Sequence, residues 1–287
     1  MKRCKGSTMD RREQLIAVFE DTQSYYTENR RLAEAVQRSK AAVTLYTEND
    51  YPELPEAAKA GSVAVTKSKT FEAAMCLHNA HPDAKIAVLN FASATNPGGG
   101  VKSGSSAQEE SLCRCSTLYP TLNQRRLWDR YYLPNREADD PLHTDVCIYS
   151  PNVVICKSDE SIPQRLPEEQ FVTVDVITCA APNLRSVPGN QHNPDASKAA
   201  SITRQQLFDL HVKRAKHIMH VAAVNVADCL VLGAFGCGAF RNDPNVVAKA
   251  YAVAMEEYRR RFDVIEFAIY CRDWETVNYD AFKAWCK

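Results

Sequence analysis

The 11 cysteines of this sequence include no CxxC pair, and the two closest are Cys113 and Cys115. An odd set scattered from Cys4 to Cys286 excludes a compact disulfide framework and bundled zinc ligands. Several cysteines sit in apolar, strand-like runs (VCIY, VVICK, VITCAA, DCLVLGA), where a reduced thiol packs as a small hydrophobe. Net charge is also missing: 35 Lys+Arg balance 35 Asp+Glu, which argues against general nucleic-acid binding or a grip on anionic membranes. No apolar run is long enough for a membrane span. The greasiest window, 221–240, holds Asn225, Asp228 and three glycines. The start, MKRCKGSTMDRREQ, lacks the apolar stretch of a signal peptide, so an intracellular, cytoplasmic protein is expected. Internal repeats and low-complexity segments are absent, and the ordinary composition excludes collagen, coiled coil and wholesale disorder.

What is there is an alternation of strands and helices. Residues 10–42 are charge-rich and helical, with apolar stripes from Leu15, Ile16, Val18 and Phe19, then Leu32, Ala35 and Val36. The eight residues before Met9 read as a start-site extension or a tail. The pattern breaks at Tyr51–Pro55 and again at the Pro- and Gly-rich loop 187–194. Strands are predicted at 63–67, 85–92, 172–180, 229–234 and 264–270, the last closing the sheet, and helices at 70–80 and from about Gln108. VCIYSPNVVICK (146–157) reads as a hairpin turning at Ser150-Pro151-Asn152. A helix over 196–224 carries Phe208, Val212, Ala215, Met219 and Ala222 on one face. Asp243-Pro244 supplies an N-cap and N1 proline for a helix through about Arg260. The expectation is an α/β sandwich with a largely parallel sheet, and a single domain over 1–287 with 1–42 as a helical N-terminal extension.

Two glycine loops follow two buried strands, at the strand ends where α/β sheets bind ligands. NPGGGVKSGSSAQEE (96–110) and GAFGCGAFRNDP (233–244) each lead from strand to helix. Glycine lets backbone N–H groups wrap an anion, and the following helix N-terminus adds positive partial charge. Two such loops suit a diphosphate; the plain alternative is a pair of tight turns. Neither loop is a GxGxxG, and neither is a Walker A, since Val101 precedes Lys102-Ser103 where that motif needs Gly.

In NFASATNPGGGVKSGSSAQEESLCRCSTLYP (90–120), Gly98-Gly99-Gly100 is followed after seven residues by Gln108-Glu109-Glu110. That order, with VITCAAPN (176–183) and the second loop, resembles the bacterial-type poly(ADP-ribose) glycohydrolases, a macrodomain family, over most of residues 40–270. The resemblance implies a three-layer α/β/α macrodomain-like sandwich with a mixed central sheet. It implies hydrolysis of ribose–ribose O-glycosidic bonds in poly(ADP-ribose), with ADP-ribose released and no cofactor. Gly98, Gly99 and Gly100 would line the diphosphate and distal ribose. Glu110 would be the catalytic acid/base and Glu109 a substrate-orienting carboxylate. The same resemblance places Asn96, Gln108, Gly233, Gly236, Cys237, Gly238, Ala239 and Phe240 among the substrate-binding residues, with Phe240 on the distal ribose. The N-terminal 40 residues carry no motif.

Neighbours at a helix start diverge by about 100°, so Glu109 and Glu110 do not face each other across a bond as ordinary glycosidase carboxylates do. One of them is expected to do the chemistry, assisted by the substrate's own diphosphate. The competing reading makes them helix N-terminal acids, with Ser106 and Glu109 forming a capping box. Cys237 reads as a packing residue, because the arginine of a Cys-x5-Arg phosphatase loop is replaced by Asp243. His217-x-x-His220 lacks a further ligand and reads as surface or packing, and Lys213, Arg214 and Lys216 read as a solvated helix face. Ser103, Ser105 and Ser106 lack a GxSxG elbow. No metal is implied. Rival functions are a non-catalytic ADP-ribose-binding module, a hydrolase of mono-ADP-ribosylated protein or nucleobase adducts, and a nucleotide-sugar or NAD-derived signalling enzyme.

Overall fold

A computed structural model describes residues 9–287 other than 57, 190, 192 and 195. The residues before Met9 and part of the 187–194 loop therefore lie outside the described residues. The described residues open with two helices, α1 (Arg11–Glu28) and α2 (Arg30–Ala42), where a single helical run is predicted. Asp10 and Glu13 close a capping box at the start of α1. Asn29 ends α1 and then caps α2, its Oδ1 accepting the Leu32 N–H at 3.1 Å. Then follow β1 (Thr44–Tyr46), β2 (Ser62–Thr66), α3 (Thr70–Ala80), β3 (Ile86–Phe91), α4 (Gln108–Cys115), α5 (Leu118–Leu122) and α6 (Arg125–Leu127). A π-turn at Trp128–Tyr132 leads into α7 (Leu133–Ala138). The remainder is β4 (Cys147–Ile155), β5 (Val172–Cys179), α8 (Arg204–Val224), β6 (Cys229–Leu232), α9 (Pro244–Tyr258), β7 (Val264–Ala268) and α10 (Val277–Trp285).

The strands form one mixed seven-stranded sheet in the order β1-β4-β5-β3-β6-β7-β2, in which β4 runs antiparallel to both its neighbours. Strand residues alternate between two cores, as a period of two requires. Leu89, Ile177, Leu230 and Phe267 pack beneath α8, α9 and α10, while Val88, Val176 and Val231 pack beneath α3, α4 and α5. This is the expected three-layer sandwich. Because β2, β3, β5, β6 and β7 are parallel, the loops after β3, β5, β6 and β7 emerge along one edge.

Four expectations are corrected. The 146–157 segment is no hairpin but one bulged strand, because the Asn152 N–H donates to Asp175 Oδ1 on β5 at 2.9 Å and one extra residue is absorbed between Ser150 and Val153. Helix α8 starts at Arg204, not 196, because Thr203 and Gln206 form a capping box there. Its buried face runs through Leu207, His211, Arg214, Ala215, Ile218 and Ala222, leaving Phe208 and Val212 half-buried. Strand β7 lies one position inside the sheet, and β2 closes that edge. His217 and His220 pack against Tyr51, as anticipated.

Candidate functional site

A cavity of about 1130 Å³ opens along the edge where the parallel strands end. Asn96, Gly99, Gly100, Glu109, Glu110 and Phe240 line it, together with Gly236, Gly238 and Ala239. Gln108 lines it too, but its side chain is spent on the scaffold: Oε1 accepts the Phe91 N–H at 2.8 Å, and Nε2 donates to Leu89 O at 2.7 Å and Thr70 Oγ1 at 3.0 Å. Gly98, Gly233 and Cys237 stand outside the lining. Cys237 packs against the core, and burial pushes its thiol well up, away from the thiolate form.

The two glutamates are buried at the start of α4. Its N-cap is Ala107, with no side-chain cap bond, so the Ser106–Glu109 capping box is not formed. Glu109 is instead saturated by the scaffold. Its Oε2 accepts the Ser93 N–H at 2.7 Å, and its Oε1 accepts the Gly98 N–H at 3.2 Å and Asn90 Nδ2 at 3.3 Å. Burial, then the charge of Glu110, push its pKa up to about 8 against those donors. Glu110 is held differently. Its Oε1 accepts the Gly100 N–H at 2.8 Å, while its buried Oε2 has no hydrogen-bond partner among the described residues.

The two loops do different work. In the first, the Gly98 and Gly100 amides face the glutamates, and the Gly99 amide donates to Asn96 O at 3.1 Å. The expectation that this loop wraps an anion with its amides is thus revised: it grips carboxylates. In the second loop, the amides of Gly236, Gly238, Ala239 and Phe240 donate to no protein acceptor among the described residues. Gly238 faces open space, with no atom within 4 Å of where a Cβ would stand. Gly236 turns at φ +77°, and a Cβ there would lie 2.6 Å from Ala181. Buried Asn242 braces this loop, its Nδ2 donating to Pro182 O at 2.7 Å and Gly236 O at 3.0 Å, and its Oδ1 lying 2.8 Å from His211 Nε2.

The wall contains residues that sequence reasoning missed. Arg11 and Leu15 of α1 line the cavity, so the extension is part of it. A Cβ on Gly104 would lie 2.5 Å from Arg12 O, so α1 rests directly on the first loop. Arg214, read as solvated, is only 1% exposed. Its Nε pairs with Asp145 Oδ1 at 2.7 Å, and its guanidinium donates to Ala180 O, Leu142 O and His143 O. His143 also lines the cavity.

No cluster of His, Cys, Asp or Glu suited to a metal ion occurs among the described residues. No helix among them is long and apolar enough to cross a membrane.

The sequence profile of the family described as microbial-type PARG, catalytic domain, matches residues 13–158. No curated protein sequence matches significantly. Among solved structures, poly(ADP-ribose) glycohydrolase from Thermomonospora curvata aligns with a TM-score of 0.80 at 30% identity, covering 95% of this chain and 99% of that one. The same enzyme bound to the inhibitor ADP-HPD aligns at 0.78 and 29%, with the same coverage. The Deinococcus radiodurans enzyme in complex with ADP-ribose aligns at 0.70 and 35%, covering 87% of this chain and 95% of that one.

Proposed function

This chain belongs to the microbial-type poly(ADP-ribose) glycohydrolase family, and from that premise we propose that it hydrolyses ribose–ribose O-glycosidic bonds of poly(ADP-ribose) with Glu110 as acid/base. The reading is carried by one observation: Glu110 is anchored through Oε1 by the Gly100 amide while Oε2 stays buried and unengaged in the cavity wall.

In the proposed reaction the unengaged amides of the second loop hold the substrate diphosphate, and Phe240 packs on the distal ribose. Protonated Glu110 gives its proton to the departing ribose oxygen as the C1″–O bond breaks. The oxocarbenium-like sugar is stabilised by the substrate's own diphosphate. Water then attacks C1″, and Glu110 takes up its proton, which regenerates the acid and frees ADP-ribose. Glu109, already holding three donors, orients the substrate through the first loop rather than reacting. The extension and sheet work as one catalytic unit, since Arg11 and Leu15 share the cavity with both loops.

The test is incubation with defined poly(ADP-ribose) and, separately, mono-ADP-ribosylated protein, with free ADP-ribose read by chromatography. Release from the polymer is the expected result. Release only from the mono-modified protein would transfer the site to that other leaving group.

A further inference from the structure

His143 sits in the cavity wall with a backbone conformation that few side chains adopt. Its φ is +55°, in the left-handed region, and it persists because its surroundings fix it. Its N–H donates to Asp140 O at 3.1 Å, and its carbonyl accepts Arg214 Nη2 at 3.2 Å. Arg214 is itself anchored by the buried carboxylate of Asp145. The loop after β5 then ties His143's segment to the second glycine loop: the Asn183 N–H donates to Pro141 O at 2.7 Å and the Leu184 N–H to Phe240 O at 2.9 Å. The outcome is an imidazole 6.0 Å from the Phe240 ring, centroid to centroid, at 47°.

The ring is held in place with spare polar capacity. Its buried Nδ1 makes no well-aligned hydrogen bond among the described residues, and the Asp140 backbone is the neighbouring polar group nearest in effect to the ring. Burial, then the charge of Arg214, hold its pKa down to about 4, so the imidazole is neutral near pH 7 and can accept as well as donate. An anchored backbone thus presents a neutral imidazole in the cavity wall beside Phe240.

We propose that His143 is a substrate-positioning residue that hydrogen-bonds a sugar hydroxyl of the substrate beside Phe240. The proposal rests on the reading of the site given above. The two rings stand beside each other in the cavity wall, where Phe240 packs on the sugar face and His143 fixes the sugar's rotation by reading a hydroxyl.

The test compares His143→Phe, which keeps a ring against Phe240 but no hydrogen bond, with His143→Asn, which keeps a polar group and tolerates the left-handed backbone. With poly(ADP-ribose) as substrate, His143→Phe is expected to lower kcat/KM by about tenfold or more, mostly through KM, a loss larger than the modest fall in melting temperature that a phenylalanine at this left-handed position brings. His143→Asn should recover most of that loss. Full activity in His143→Phe overturns the proposal, as does equal impairment of both variants with a lowered melting temperature. Failure of the wild-type protein to cleave the polymer overturns the reading of the site, and this proposal with it.

Discussion

Gly99 lies directly over Glu110: a Cβ built on Gly99 would stand 2.6 Å from Glu110 Oε1 and 3.1 Å from Glu109 Oε2. The backbone there is left-handed, with φ +54°. The triple glycine is therefore a carboxylate seat, in which the middle residue must lack a side chain so that the third can donate its amide. Gly99→Ala is expected to displace Glu110, removing nearly all turnover. Strain at this position costs roughly 1–3 kcal/mol, so the variant should still fold. Circular dichroism alongside polymer cleavage checks this; an active Gly99→Ala would remove the steric argument.

Phe240 is half-buried, packing against the core from the cavity wall, with His143 beside it. Phe240→Ala should lower turnover more than ADP-ribose affinity, because the ring holds the reacting sugar in attack geometry. A fully buried phenylalanine costs about 3–5 kcal/mol on truncation, and a half-buried one less. Calorimetric binding, turnover and melting temperature measured together decide it. Parallel loss of all three would mark Phe240 as a core residue.

Glu109 makes stability depend on pH in an unusual direction. Its pKa in the folded state, about 8, lies above the ordinary 4.5. The folded protein thus keeps a proton that the unfolded chain releases, and stability falls as pH rises from about 4.5 to 8. His143 and His211, held down at about 4 by burial, act oppositely, and their contribution is lost as pH falls below about 6.5. Between pH 6.5 and 8, Glu109 is left alone among these three. Glu109→Gln should flatten the decline in melting temperature across that window while weakening substrate binding, because an amide NH₂ would face the Ser93, Gly98 or Asn90 donors. An unchanged slope would show that Glu109 does not hold the extra proton.

The second loop should select for its ligand. ADP-ribose is expected to raise the melting temperature, with ATP doing so far less, and saturation at 100 times the dissociation constant adds about 2.7 kcal/mol. Differential scanning fluorimetry with both nucleotides tests this. No shift at millimolar ADP-ribose would sink the assignment of the cavity.

Much of this was legible in the sequence because its signals are local. Helix α3 spans the predicted 70–80, and the buried runs behind β3, β5 and β6 mark the strands that carry the loops. The glycine loops announce themselves by composition. What escaped depends on partners distant in the chain. Arg214 looks solvated beside Lys213 and Lys216 until Asp145, 69 residues away, buries it. The Ser150-Pro151-Asn152 turn signal becomes a bulge because Asp175 caps it across the sheet. Nothing local says that the first loop's amides would face the glutamates, or that α1 would bring Arg11 and Leu15 to the cavity. The short β1, α5–α7 and α10 also lack the length that makes periodicity readable.

The central claim is that Glu110 moves the proton. Glu110→Gln keeps the shape and an oxygen for the Gly100 amide but cannot relay a proton, so the decisive measurement is its rate of ADP-ribose release from poly(ADP-ribose) alongside its ADP-ribose affinity. The account predicts near wild-type affinity with hydrolysis reduced by about 10²–10⁴-fold or more. Cleavage at close to the wild-type rate would contradict it.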